Sequence, residues 1–246
     1  MKNMITAAIV SFFVLGCATT KNVENEGAQS EYLTEVETMN IKVVGPQQPI
    51  IAPSNNEQAM RAYTTGSKLL WENNLNEAEG YLKKAVELDP LFVDAMDHLG
   101  MVYRRQNRLD EAEAMYLKSI SINDKNIVPY QNLAVVYRLK NRLNDALEMY
   151  KKMAGIDENN PESYYGIGEL FYMVRDYEKA ILFFDKAIEL YLDQDSPVVY
   201  DAFYYKGMIY YRMNNYDEAL KYLEEVQKAD PNNKTVEQII NEIKNG

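Results

Sequence analysis

Small residues return along this chain at fixed intervals. Gly66, Gly100, Ala134, Gly168 and Gly207 are separated by 34, 34, 34 and 39 residues, and Ala78, Ala112, Ala146, Ala180 and Ala219 keep the same spacing. A period of this length marks a row of stacked supersecondary units, each leaning on its neighbours. Large residues sit at fixed offsets between the small ones. Leu69, Tyr103, Tyr137, Phe171 and Tyr210 follow the first series, and Leu82, Tyr116, Tyr150, Phe184 and Leu223 follow the second. Offsets of three, four and seven place these residues on one face of a helix.

The spacing predicts two antiparallel helices per unit. Helices that pack with axes roughly 8–10 Å apart leave no room for a long side chain at the crossing point, which therefore takes Gly or Ala. The turn between the helices reads Asn73-Asn74, Gln106-Asn107, Lys140-Asn141, Arg175-Asp176 and Asn214-Asn215. Asn and Asp tolerate left-handed backbone and bond locally, as such a turn needs. Second helices end near Asp89-Pro90, Asp124, Asp157-Glu158 and Asp230-Pro231. The long fourth interval puts five extra residues around Tyr191 to Pro197, so either the second helix of that unit or its loop is longer. Ser196-Pro197 reads as an N-cap followed by the first helical residue, which starts the next helix near Pro197.

The segments NNLNEAEGYLKKAVELDP, NRLDEAEAMYLKSISIND, NRLNDALEMYKKM, RDYEKAILFFDKAIEL and NNYDEALKYLEEVQKADP carry a resemblance to the tetratricopeptide repeat family. The resemblance implies an all-α, right-handed superhelical solenoid of five helix-turn-helix repeats. They fall at about 59–92, 93–126, 127–160, 161–199 and 200–233, within a domain spanning 58–233. Met153 and Val226 depart from the usual small residue late in the second helix. Residues 234–246 are expected to form a helix that covers the last apolar face.

The same resemblance implies a concave groove lined by first helices. Carried over residue by residue, it assigns Met60, Tyr63, Ser67, Leu70 and Trp71 to the groove in repeat 1. Repeat 2 contributes Asp94, Asp97, Met101, Arg104 and Arg105, and repeat 3 Val128, Gln131, Val135, Arg138 and Leu139. Repeat 4 adds Glu162, Tyr165, Glu169, Tyr172 and Met173, and repeat 5 adds Asp201, Tyr204, Met208, Tyr211 and Arg212. Aromatic and arginine side chains are the usual anchors of protein interfaces. Arg104, Arg105, Arg138 and Arg212 against Asp97 and Glu169 lead to the expectation of a locally positive mid-groove that takes a segment with apolar residues and a carboxylate. The Lys and Asn clamp of chaperone-tail binders has no counterpart, because its places hold Tyr63, Ser67, His98, Val128 and Asn132.

A short positive start, Met1-Lys2-Asn3, precedes an apolar run from Met4 to Gly16, too short to span a bilayer as a permanent helix. The run ends Val14-Leu15-Gly16-Cys17, which resembles the bacterial lipoprotein box. That resemblance implies a signal peptide over 1–17, cleavage before Cys17 and lipidation of its thiol and amine. Three acyl chains suffice for stable anchoring. Ala18 after the cysteine favours the outer membrane, with the repeats in the periplasm. Residues 18–57 lack a helical period and read as a flexible linker, and a coil of about 40 residues spans roughly 35 Å.

The net charge of −11 and the lack of a basic run argue against nucleic-acid binding. His98 is the single histidine and Cys17 the single cysteine, which makes a poor metal set, and no phosphate loop or nucleophile elbow occurs. The expectation is a non-enzymatic scaffold without cofactor, anchored to a membrane, that binds an envelope protein in its groove and is open to homo-oligomerisation. Pilotin lipoproteins of type IV pilus secretins and lipoprotein adaptors of periplasmic proteases are the two narrower readings.

Overall fold

The computed structural model describes residues 54–245, so Cys17, the leader and most of the linker lie outside the described residues. Ten helices form five antiparallel pairs and an eleventh follows. They are α1 (Glu57–Trp71) with α2 (Leu75–Leu88), α3 (Val93–Arg105) with α4 (Leu109–Ile122), and α5 (Ile127–Leu139) with α6 (Leu143–Ile156). Then come α7 (Pro161–Met173) with α8 (Tyr177–Asp193), α9 (Val199–Arg212) with α10 (Tyr216–Ala229), and α11 (Lys234–Asn245). This is the expected all-α tetratricopeptide-type solenoid.

The small residues sit where the crossing argument puts them. A Cβ on Gly66 would lie 2.7 Å from Leu82 Cγ, one on Gly100 2.6 Å from Tyr116 Cε1, one on Gly168 2.9 Å from Phe184 Cδ1, and one on Gly207 2.7 Å from Leu223 Cδ2. Each contact joins the two helices of one repeat. Repeat 3 has Ala134 instead, and its Tyr150 ring lies against Gly166 of the following repeat. Thus one side chain closes the seam between repeats 3 and 4.

Every turn within a repeat ends its first helix the same way. In repeat 1 Asn74 N–H donates to Leu69 O at 2.8 Å and Asn73 N–H to Leu70 O at 3.1 Å, the paired bonds of a Schellman motif. The residue between them is left-handed in all five repeats: Asn73 (φ 60°), Asn107 (60°), Asn141 (56°), Arg175 (61°) and Asn214 (58°). Asn suits this conformation and arginine does not. Arg175→Asn is therefore expected to raise the unfolding free energy by about 0.5–1 kcal/mol, seen as a higher denaturation midpoint at unchanged slope. An unchanged midpoint would mean that the contacts of the Arg175 side chain offset the backbone strain.

Repeats are also joined at their turns. Arg108 Nη1 donates to Glu79 Oε2 of the preceding repeat at 2.8 Å while its guanidinium lies 4.3 Å from the Tyr103 ring centre. Arg142 repeats both contacts one unit later, reaching Glu113 Oε1 at 2.9 Å and stacking on Tyr137 at 4.3 Å. Lys140 adds a bond of 2.6 Å to Glu113. At the next seam the acid is replaced by Leu147, which is buried.

The long fourth interval resolves into both possibilities raised above. Helix α8 has 17 residues where the second helices of the other repeats have 14, and a loop completes the difference. Ser196 does not cap α9. Val199 N–H, Tyr200 N–H and Asp201 N–H donate to the carbonyls of Ser196, Pro197 and Val198, and this tight turn delays the helix to Val199. At the N-terminal end Asn56 Oδ1 accepts from Gln58 N–H and Ala59 N–H, and Asn56 Nδ2 donates to Leu88 O at 3.0 Å. Residues 54–56 are therefore fastened to the first repeat. At the other end Val236 and Ile240 of α11 cover Leu223 and Val226, as a capping helix should.

The apolar interior forms one long cluster from Leu70 to Ile209 and two smaller ones at the ends. One is Ala59, Ala62, Ala85, Phe92 and Ala95, and the other is Ala219, Leu223, Val226, Val236 and Ile240. A lysine is also enclosed near the C-terminal end. Lys206 pairs with Asp185 and donates to Tyr222 Oη at 2.8 Å, which ties α9 to α8 and α10.

Candidate functional site: the concave face

First helices approach one another between successive repeats, α1 with α3 and α3 with α5, beyond their contacts with second helices. This places them on the inner side of the curve. The residues assigned to the groove fall into three groups along it.

At the N-terminal end Tyr63, His98 and Trp71 form an aromatic corner. The ring centres of Tyr63 and His98 are 5.1 Å apart, those of Trp71 and His98 6.0 Å, and Ser67 Oγ is 2.7 Å from His98 Nδ1. Burial lowers the His98 pKa. The lone histidine is a packing residue. Arg105 lies 5.4 Å from the Trp71 ring centre and donates to Leu70 O at 3.0 Å. Trp71 itself stays 60% exposed.

The middle corrects the expectation of a positive groove. Arg138 is ion-paired with Glu169 across the seam and contacts the Tyr150 hydroxyl, and Tyr205 Oη donates to the other Glu169 oxygen at 3.0 Å. Burial opposes the Arg138 charge, but Glu169 and Tyr150 hold its pKa above the usual value. Arg138 is thus neutralised from within. Asp97 does not line the groove: it is 2% exposed, and Asn126 Nδ2 donates to it at 3.2 Å. Burial pushes its carboxyl up to about 7. Gln131 reaches Glu162 at 3.5 Å. Arg104 is half-buried beside Tyr116 of its own repeat.

Toward the C-terminal end the tyrosines meet each other. Tyr165 is packed edge-on against Phe184, Tyr191 and Tyr205 at 5.7, 6.3 and 5.9 Å between ring centres. Tyr172 meets Tyr205 at 5.1 Å, and Arg212 Nε donates to Tyr172 Oη at 3.2 Å. Tyr204 lies 6.0 Å from Tyr205, and Tyr211 Oη donates to Glu242 of the capping helix at 3.0 Å. Tyr191 Oη donates to Glu162 at 2.7 Å. Two members of this cluster, Tyr191 and Tyr205, are absent from the sequence assignment. The extension of α8 that brings in Tyr191 was the available signal. These aromatics fill this part of the groove among themselves.

The large apolar side chains left accessible on the first helices are Trp71, Val128 at 43%, Leu139 at 57%, Met173 at 44% and Tyr200 at 37%. Trp71, Leu139 and Met173 occupy equivalent places at the ends of α1, α5 and α7. Such an arrangement offers a line of apolar contacts to an elongated partner. Among the described residues no group of three or more His, Cys, Asp or Glu could hold a metal ion. No helix among them is long and apolar enough to cross a membrane.

Family profiles described as tetratricopeptide repeat match residues 92–159, 161–194 and 200–233. A search of curated proteins returns no match. Among solved structures, a tetratricopeptide repeat protein from Parabacteroides merdae is 23% identical, with 76% of this chain and 72% of that one covered at a TM-score of 0.62. A MamA protein from Desulfovibrio magneticus is 15% identical over 73% and 99%, with a TM-score of 0.61. YrrB, described as having an unusual peptide-binding site, is 24% identical over 75% and 92%, with a TM-score of 0.54. At these identities the likeness is one of fold.

Proposed function

The chain belongs to the tetratricopeptide repeat family, and from that premise we propose that it is a non-enzymatic, lipid-anchored adaptor of a bacterial envelope that holds a partner protein along its concave face. The observation that carries the reading is the exposed line of Trp71, Leu139 and Met173 on that face. A solenoid gains nothing in its own stability from large apolar side chains left in water, whereas a partner can bury them. The peptide-binding site named for YrrB supports the same use of the fold. The proposed membrane attachment is supported by the resemblance of the segment ending at Cys17 to the lipoprotein box, and Ala18 after it favours an outer-membrane anchor with the repeats in the periplasm.

Photo-crosslinking in cells tests the binding. A crosslinking amino acid at Leu139 or Met173 is expected to capture one dominant envelope protein, while the same group at Leu182 on the second helix α8 captures none of it. Equal, diffuse capture from all three positions would overturn the groove reading. The captured partner also separates a secretin-assembly role from delivery to a periplasmic protease. Replacing Cys17 by serine is expected to move the protein from the membrane fraction to the soluble one.

A further inference from the structure

Arg104 and Arg138 occupy the same place in adjacent repeats, and each contacts the tyrosine of its own second helix, Tyr116 and Tyr150. Their surroundings differ at one position. Glu169 of the next repeat meets Arg138. Val135 stands in the place of Glu169 one repeat earlier. Arg104 makes no ion pair among the described residues, and its Nε is shut off from water with no acceptor. The Tyr116 hydroxyl beside it is likewise buried without a well-formed hydrogen bond. A guanidinium carries its charge at every physiological pH, and a sealed donor without an acceptor is costly. Repeat 3 completes the arrangement with a carboxylate from its own chain, and repeat 2 leaves that carboxylate out.

We propose that the groove at repeats 2 and 3 takes a partner segment whose carboxylate pairs with Arg104, in the position that Glu169 holds before Arg138, with apolar side chains against Val135 and Leu139. The inference rests on the protein-binding reading above and names the chemistry of what is bound. The exposed Val128 and Leu139 flank the site and match a segment carrying side chains better than a bare anion. A charge pair at one fixed place in the groove also sets the register of binding.

The test selects peptides from a random library with free C-termini on the full-length chain in detergent. The expected pool carries Asp, Glu or a terminal carboxylate next to apolar residues. The dominant peptide is then remade twice, once with its acidic side chain as the amide and once with an amidated C-terminus, and the form that loses binding identifies the source of the carboxylate. Loss of that carboxylate should weaken binding about ten-fold or more, and Arg104→Gln should cost the same without adding to it. Val135→Glu supplies the missing acid from within and should block the peptide equally while leaving the melting temperature unchanged or higher. Peptides that lose binding on Leu139→Asn yet carry no acid and ignore Arg104→Gln would overturn the carboxylate inference and leave the adaptor reading standing. A selection that never yields a groove-dependent peptide would count against both.

Discussion

Asp97→Asn raises the stability of the protein at pH 8 by about 2–4 kcal/mol and leaves it unchanged at pH 3. The expectation follows from a carboxyl that is 2% exposed, with one oxygen accepting from Asn126 and the other beside the Ser119 hydroxyl without a well-formed bond. Burial pushes it up to about 7, against an ordinary value of 3.8. The sign is worked out from the two states. Below the unfolded value both chains hold the proton and the group contributes nothing. Between about 4 and 7 the unfolded chain releases the proton while the folded one keeps it, so stability falls as the pH rises. Above about 7 the full penalty is present. Asparagine has no charge to bury, can still accept from Asn126, and keeps a polar group beside the Ser119 hydroxyl. Thermal melts of both proteins across the pH range decide the matter. Equal gains at pH 3 and pH 8 would assign the effect to packing, and no gain at either would mean that water reaches the carboxyl.

Two glycine-to-alanine changes should move stability in opposite directions. A Cβ on Gly166 would run into Cε1 and Cζ of Tyr150, a buried ring held by Arg138 at its hydroxyl. The ring cannot yield without breaking the contact beside the Arg138 and Glu169 pair. Overpacking of this kind costs about 1–3 kcal/mol and more when the neighbour is fixed, which exceeds the roughly 1 kcal/mol that alanine gains in a helix. Gly166→Ala is therefore expected to lose about 2–3 kcal/mol. A Cβ on Gly80 meets nothing within 4 Å. Gly80→Ala should gain about 0.5–1 kcal/mol through propensity alone. Denaturant midpoints of the two variants report the contrast, and a stabilised Gly166→Ala would show that the Tyr150 ring has room to turn.

The repeat spacing made the backbone legible because it rests on local rules: a small residue at each crossing, a large one opposite, and a left-handed turn residue between. Even Arg175 adopts the turn that its Asn counterparts announce. Pairing across repeats was less visible. Arg138 and Glu169 are 31 residues apart, and counting both as groove charges did not reveal that they pair with each other across a seam. Asp97 belongs to a helix enclosed on most sides, with Ala95, Met96 and Leu99 around it in sequence all buried. A face that is open in an end repeat is closed there. Tyr191 entered through the extension of α8, where a period of 34 residues carries no information. Of the assigned positions, Trp71, Leu139 and Met173 keep exposed apolar surface and Arg104 has no ion pair among the described residues.

The division of the apolar interior into one long cluster and two short ones has a dynamic meaning. A linear stack holds together by coupling between nearest neighbours, so each repeat is as persistent as its seams. The continuous interior runs from the end of α1 to α9, whereas the start of α1 and the α10–α11 end rest on small clusters of their own. Opening therefore begins at the two ends and reaches the centre last. The arginine left without an acid and the apolar residues around it lie in the slowest-opening stretch. A bound segment would experience a rigid receptor while both ends of the stack fray and reclose around it.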